Sequence, residues 1–211
     1  MLQLLKGKWV AMSNINKEFE SRIMLTESEY FDIVSYFMRL YPNQHFIKNT
    51  NIYYDTDELF LRKNHATLRV RVINDIKSEL TLKISHPDGD DEINDSMNSN
   101  ELNAFVKEGI FPDGEVKKRL LSLPYSLDSY KEITTLYNIR LEIQFDDHLL
   151  VIDKNTYGDI IDYNLEIETS NSIILAKQKM KEYAEQFNLA NRQQKYVGKA
   201  HRAIMAATKK D

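Results

Sequence analysis

Four stretches of this chain set charged residues two positions apart: Glu18, Glu20 and Arg22; Arg69 and Arg71; Arg140 and Glu142; Glu166 and Glu168. Lys83 follows Thr81 by the same step, and Asp153 ends another alternating run. The positions between are largely apolar, as with Leu68 and Val70 or Leu165 and Ile167. That is the period of a β-strand. Residues i and i+2 of a strand stand roughly 6.5–7 Å apart on one face, and neighbouring strands bring like charges closer at a cost. For any single pair a solvated sheet face is the simpler account. The whole set admits another: a curled sheet whose charged faces line an interior, with its apolar faces outward beneath helices. Such an interior gathers six acids (Glu18, Glu20, Glu142, Asp153, Glu166, Glu168) and six bases (Arg22, Arg69, Arg71, Lys83, Arg140, Lys195). Close carboxylates suit a hard divalent cation, and rows of arginine and lysine suit phosphate oxygens. Together they point to a metal-bound polyphosphate.

The elements that must position these residues are legible by period. Alternation from Ile15 predicts a strand through KEFESRIML. Thr26 with Glu29 forms a capping-box start for an amphipathic helix carrying Tyr30, Ile33, Val34, Phe37 and Met38. Strands are expected near 46–55, 66–73, 79–85, 137–145, 148–153 and 160–169, with a tight hairpin at Asp147-His148. Helical patches are expected at 100–108 and 114–123, then a helix from Ser172 to Phe187 and a last segment over about 192–208. Residues 86–99, rich in Asp, Asn and Ser, read as a polar loop joining two halves of one fold. Residues 1–14 read as a leader or flexible extension, and 15–208 as one domain. Short connections favour antiparallel pairing and an α+β class.

Composition narrows the function. The 211 residues hold 28 Lys+Arg, 32 Asp+Glu and no cysteine, for a net charge of −4. Zero Cys excludes a disulfide framework, a thiolate metal site and a Cys nucleophile. No apolar run is long enough to span a membrane; the mildly acidic balance argues against nucleic-acid binding by bulk charge. A cytoplasmic protein is the default expectation, and a homodimer through helices or strand edges is compatible with the pattern. The five histidines lack metal-ligand spacing. GIFPDG at 109–114 lacks the lysine of a phosphate loop, and no G-x-S-x-G elbow exists. Asp88, Asp90, Asp91 and Glu92 lack calcium-loop spacing, and Lys199 and Arg202 read as part of a solvated helix face.

The segment Glu18-Phe19-Glu20-Ser21-Arg22 resembles the ExExK signature of CYTH-domain proteins, the triphosphate tunnel metalloenzymes. The resemblance continues through Tyr53-Tyr54-Asp55-Thr56, Leu68-Arg69-Val70-Arg71, Thr81-Leu82-Lys83, Arg140-Leu141-Glu142, Asp153, Leu165-Glu166-Ile167-Glu168 and Lys195-Tyr196, in order over about residues 16–200. It is similar to the small Firmicute-type members; relatives include thiamine triphosphatase and class IV adenylyl cyclase. The resemblance implies an eight-stranded antiparallel barrel open at both ends, with a charged tunnel that uses Mg²⁺ or Mn²⁺ on triphosphates. It assigns Glu18, Glu20, Asp153, Glu166 and Glu168 to the metal. Arg22, Arg69, Arg71, Lys83, Arg140 and Lys195 fall to the phosphates. Glu142 becomes a further tunnel carboxylate, and Glu92 is a candidate for another. Arg22 departs from the motif's lysine by replacing a point charge with a planar fork.

The chemistry expected on this basis is metal-assisted phosphoryl transfer to water, from inorganic triphosphate or from thiamine or nucleoside triphosphate. Two groups compete for the proton: a carboxylate of the Glu18/Glu20 set, or Lys83 with a lowered pKa, near Tyr53 or Tyr54. An adenylyl cyclase and a non-catalytic polyphosphate- or nucleotide-binding module are the alternatives.

Overall fold

The computed structural model describes residues 3–5, 8–10, 16–87, 89–124, 126–189 and 197–208. Two three-residue strands, β1 (Gln3–Leu5) and β2 (Lys8–Val10), pair with each other in a small sheet of their own. The domain proper runs β3 (Asn16–Leu25), α1 (Glu27–Leu40), β4 (Ile47–Asp55), α2 (Phe60–Lys63), β5 (Ala66–Ile73), β6 (Lys77–His86) and β7 (Gly89–Met97). It continues with α3 (Ser99–Glu108), α4 (Glu115–Leu121), β8 (Lys131–Gln144), β9 (Leu149–Tyr157), β10 (Ile160–Thr169), α5 (Ile173–Gln186) and α6 (Lys199–Thr208). The eight strands from β3 to β10 close into an antiparallel barrel in the order β10-β3-β7-β6-β5-β4-β8-β9.

Alternation decides which way each side chain points. On β5, β6 and β10 the apolar residues face out: Leu68 and Val70, Leu80 and Leu82, Leu165 and Ile167 are fully buried beneath helices. Two clusters result. One packs Ile33, Phe37, Leu141, Ile152, Leu165 and Ala176 between the barrel, α1 and α5. The other packs Leu61, Leu68, Leu82, Phe105, Val116 and Leu120 between the barrel and α2 to α4. Helix α1 begins with the expected capping box, Thr26 and Glu29 each accepting the other's backbone N–H. Because the cores lie outside, the barrel's inner face is free to be polar.

The region expected to be a polar loop is a strand. β7 pairs with β6 over nine positions; its alternation is weak because the outward face mixes Ile93 and Met97 with Asp91 and Asp95. Inward go Asp90, Glu92 and Asn94, opposite Ser85, Lys83 and Thr81. Outward goes Asp95, whose carboxylate accepts the backbone N–H groups of Glu115 and Val116 at 3.0 and 2.8 Å and so anchors the start of α4. A side chain at Gly114 would collide with that carboxylate, since a Cβ there would lie 2.2 Å from Asp95. On its other edge β7 meets β3 over only three positions, Asn16 to Glu18, whereas every other neighbouring pair in the barrel matches over six to nine.

Helix α6 lies across part of one end, where Ala203 and Ile204 pack on Tyr53, Leu136 and Tyr157 of the inner wall. Below it an amide belt crosses four strands: Asn49 donates to Asn138, Asn138 to Asn155, and Asn155 to Asn164 and Asp162. Among the described residues no helix is long and apolar enough to cross a membrane.

Candidate functional site

A cavity of about 1050 Å³ occupies the barrel interior. Nine of the charged residues singled out by spacing line it: Glu18, Glu20, Arg22, Arg69, Arg71, Lys83, Arg140, Glu166 and Glu168; Glu92, the further candidate from the resemblance, joins them. Each stands there because its strand presents the alternate face inward. Lys195 lies outside the described residues. Glu142 shares the inner face of β8 and meets Arg140 at 3.4 Å, but it does not line the cavity.

Register brings the acids together. Across β3 and β10, Arg22 faces Glu166 and Glu20 faces Glu168. Carboxylate oxygens of Glu20, Glu166 and Glu168 lie within 4.8 Å of one another. Burial pushes the Glu168 carboxyl up to about 7, Glu18 and Glu166 adding to the effect while Arg140 opposes it. Two acids directly opposite on adjacent strands repel, and a neutralised Glu168 relieves part of that repulsion. A hard divalent cation would relieve it too, and oxygen ligands of this kind suit Mg²⁺ or Mn²⁺. The donor set therefore fits a metal ion, with Glu20, Glu166 and Glu168 holding it.

Asp153 does not join that trio. It is fully buried on β9, and both its oxygens are taken. Arg140 grips them in a two-pronged pair, Nε to Oδ1 at 2.8 Å and Nη2 to Oδ2 at 2.9 Å, and Lys199 reaches Oδ2 at 2.8 Å. Burial would raise its pKa, but Arg140 and Lys199 outweigh that and hold it well below the usual carboxylate range. Asp153 thus fixes the basic groups, a part it shares with Glu166, which meets Arg22 at 2.9 Å, Arg140 at 3.2 Å and Lys199 at 2.9 Å.

Lys83 also changes role. Burial alone would lower its pKa, yet Glu92, Glu18 and Asp90 hold it above the ordinary lysine value. Its Nζ lies 2.7 Å from Glu18, 3.0 Å from Asp90 and 3.2 Å from Glu92. Three acids within 3.2 Å favour Lys83 as a fixed cation over a lysine with lowered pKa that takes a proton. Asp90 reaches this cluster because β7 is a strand.

Arg71 shows the opposite balance. Burial, Arg69 and Arg140 bring its pKa down to about 10, against the opposing charges of Glu79 and Glu92; Glu79 lies at 3.5 Å and the Asn51 side-chain oxygen accepts from Arg71 at 3.0 Å. Positive charge is in surplus on that wall, as an anion site requires.

Two further residues escaped the sequence reading. Lys199, expected on a solvated face, reaches inward to Asp153 and, at 2.9 Å, to Glu166. Arg202, one helical turn on, forks onto Asp162 with both contacts at 2.8 Å. The signal was present: Lys199, Arg202 and Ala203 share one face of α6, and a small residue beside the charges marks that face as the packed one.

Residues 16–196 match the CYTH domain. The chain belongs to the CYTH family. This CYTH chain is 30% identical over 179 residues, covering 84% of it and 90% of the relative, to a proposed triphosphatase, YjbK of Bacillus subtilis (strain 168). It superimposes with a TM-score of 0.78 on the crystal structure of a proposed adenylate cyclase from Bacillus halodurans, at 28% identity and with 89% and 98% of the two chains covered. A protein from Hippeastrum, described as a proposed adenylyl cyclase with a dominant triphosphatase activity, shares the fold at a TM-score of 0.65 and 15% identity, with 86% and 91% covered. CYTH membership implies triphosphate substrates and a divalent metal.

Proposed function

We propose that this CYTH protein is a Mg²⁺- or Mn²⁺-dependent triphosphatase acting on inorganic triphosphate or a small organic triphosphate inside its barrel. The observation that carries the reading is one juxtaposition. The trio of Glu20, Glu166 and Glu168 lies on the same cavity as Arg22, Arg69, Arg71, Lys83 and Arg140. A metal bound to the trio would supply charge neutralisation to the phosphate oxygens.

The protein's own residues do the rest. Arg69 and Arg71, where positive charge is in surplus, bind the phosphate chain. Lys83, held protonated, adds a point charge that stays charged through the reaction. Arg140 is clamped by Asp153 and Glu166, so its outward edge is fixed before substrate arrives. Water attacks the terminal phosphorus, the bridging P–O bond breaks and the remaining phosphate chain leaves; a carboxylate of the Glu18/Glu20 set accepts the water's proton. Positioning and charge carry most of such a reaction.

The test is to incubate the purified protein with Mn²⁺ or Mg²⁺ and inorganic triphosphate, ATP and thiamine triphosphate, and to identify the products. Free phosphate, lost in Glu168→Ala, supports the reading; hydrolysis undiminished in Glu168→Ala and Glu20→Ala would sink the site. The structural likeness to the Bacillus halodurans protein motivates the cyclase as a second reading, for which cyclic AMP and pyrophosphate would be the products.

A further inference from the structure

The cavity has two unlike parts. All six of its carboxylates come from β3, β7 and β10. The wall built by β4, the segment 56–65 and α6 offers Tyr53, Arg62, Lys63, His65, His201 and Ile204, with no acid among its lining residues. Of the acids in the adjoining chain, Asp57 binds Lys131 at 2.7 Å and Asp55 is taken up by backbone N–H groups.

This basic wall is built, not frayed. The buried Asp55 carboxylate accepts three backbone N–H groups, from Thr56 at 2.8 Å, Leu61 at 2.9 Å and Arg62 at 3.0 Å. Leu59 and His65 adopt left-handed backbone, φ 55° and 56°, which turns the segment sharply at both ends of α2. Arg62 reaches across to the Met205 sulfur of α6, joining the segment to that helix. Lys63 and His65 make no side-chain ion pair or hydrogen bond among the described residues. The Tyr53 hydroxyl, 1% exposed and on the cavity wall, has no hydrogen-bond partner among them either. A buried hydroxyl without a partner costs free energy that a ligand acceptor would recover.

We infer that this carboxylate-free compartment takes an anionic extension of the bound triphosphate, so that a phosphate chain longer than three is held better than a triphosphate bearing an uncharged or cationic organic group. The inference rests on the triphosphatase reading and adds the substrate's far end to it. Charge decides between occupants: each further phosphate adds negative charge opposite Arg62 and Lys63, while a cationic ring placed there meets only like charge. The cavity volume stands at the upper end of the range for drug-sized ligands, about 300–1,000 Å³, leaving room beyond a bare triphosphate.

The experiment is calorimetric titration of the full chain, with divalent metal removed so that no turnover intrudes, using inorganic triphosphate, inorganic tetraphosphate and ATP. Tetraphosphate is expected to bind about fivefold tighter than triphosphate, the worth of one or two partly exposed ion pairs. Arg62→Gln with Lys63→Gln should erase that gain and leave triphosphate affinity unchanged. Tyr53→Phe, which keeps the ring, should weaken tetraphosphate binding. Equal affinity for the two chains, ATP binding as tightly as tetraphosphate, or a gain that survives the double variant would overturn the inference while leaving the triphosphatase reading intact. Failure of both inorganic chains to bind would overturn the inference as well, while the triphosphatase reading stands or falls on the metal-dependent assay above.

Discussion

Glu20 and Glu168 face each other directly across β3 and β10, two acids at one register position on the barrel's inner wall. Strand pairing sets like charges opposite one another only where something else gains from it. Here the pair, with Glu166, forms a carboxylate trio of the kind that could hold a cation.

The pair sets a pH dependence. Glu168 titrates in the folded chain near 7, above its ordinary 4.5. A carboxyl raised on folding contributes stability that is full below about 4.5 and is lost as pH rises through about 7. Glu92 and Glu166, brought down to about 2 by neighbouring bases against the effect of burial, act in a lower window and do not interfere. The metal-free protein should therefore lose stability between pH 5 and 7.5, and added Mn²⁺ should raise the melting temperature more at pH 7.5 than at pH 5.5. Glu168→Gln should abolish the difference between the two pH values. Thermal melts with and without metal would show it, and a Mn²⁺ shift equal at both would disprove the assignment.

Asp153→Asn should behave as a lesion of stability, since it leaves Arg140 and Lys199 short of their buried counter-charge. Removing one partner of a buried pair costs about 3–5 kcal/mol, which urea denaturation would register. Were Asp153 a metal ligand instead, the metal affinity would fall while the apo protein kept its stability.

Lys83→Arg keeps the charge and discriminates the two roles once open to this lysine. A general base is worth roughly 10²–10⁴ in rate. A fixed cation replaced by another should cost less than that and leave the shape of the pH–rate profile unchanged. A lost basic limb in the variant would restore Lys83 to the proton-transfer role.

Asp55→Ala should strip three backbone N–H groups of their acceptor at once. Each buried donor left unpaired costs about 1–3 kcal/mol, so a loss of at least about 2 kcal/mol is expected on denaturation. Asp55→Asn, which keeps one acceptor oxygen, should lose less.

Most of the barrel was legible because its cores lie outside. Leu68 and Val70 alternate with Arg69 and Arg71, and a period-2 contrast survives even when the polar face is the buried one. β7 was not legible for the converse reason: Asp91 and Asp95 share the outward face with Ile93 and Met97, so it contrasts only weakly with Asp90 and Glu92 inward. The roles of Asp153 and Lys83 were hidden too. Residue type offers a carboxylate to a metal or an amine to a proton, whereas which neighbour claims it depends on register between strands far apart in sequence. Arg140 and Asp153 are set opposite each other only once β8 and β9 pair.

The three-position match between β3 and β7 gives the cylinder a seam. A closed barrel resists opening through the cooperativity of its ladders, so it parts where the ladder is shortest. Glu20, Arg22 and the rest of β3 beyond Glu18 border that seam with no pairing to β7. One of the three clustered carboxylates, Glu20, is therefore mounted on the side of the wall with the least backbone restraint. The amides along that edge belong to the least protected part of the barrel, and a ligand bridging Glu20 to Glu168 would act as a rivet on the β10 side of it.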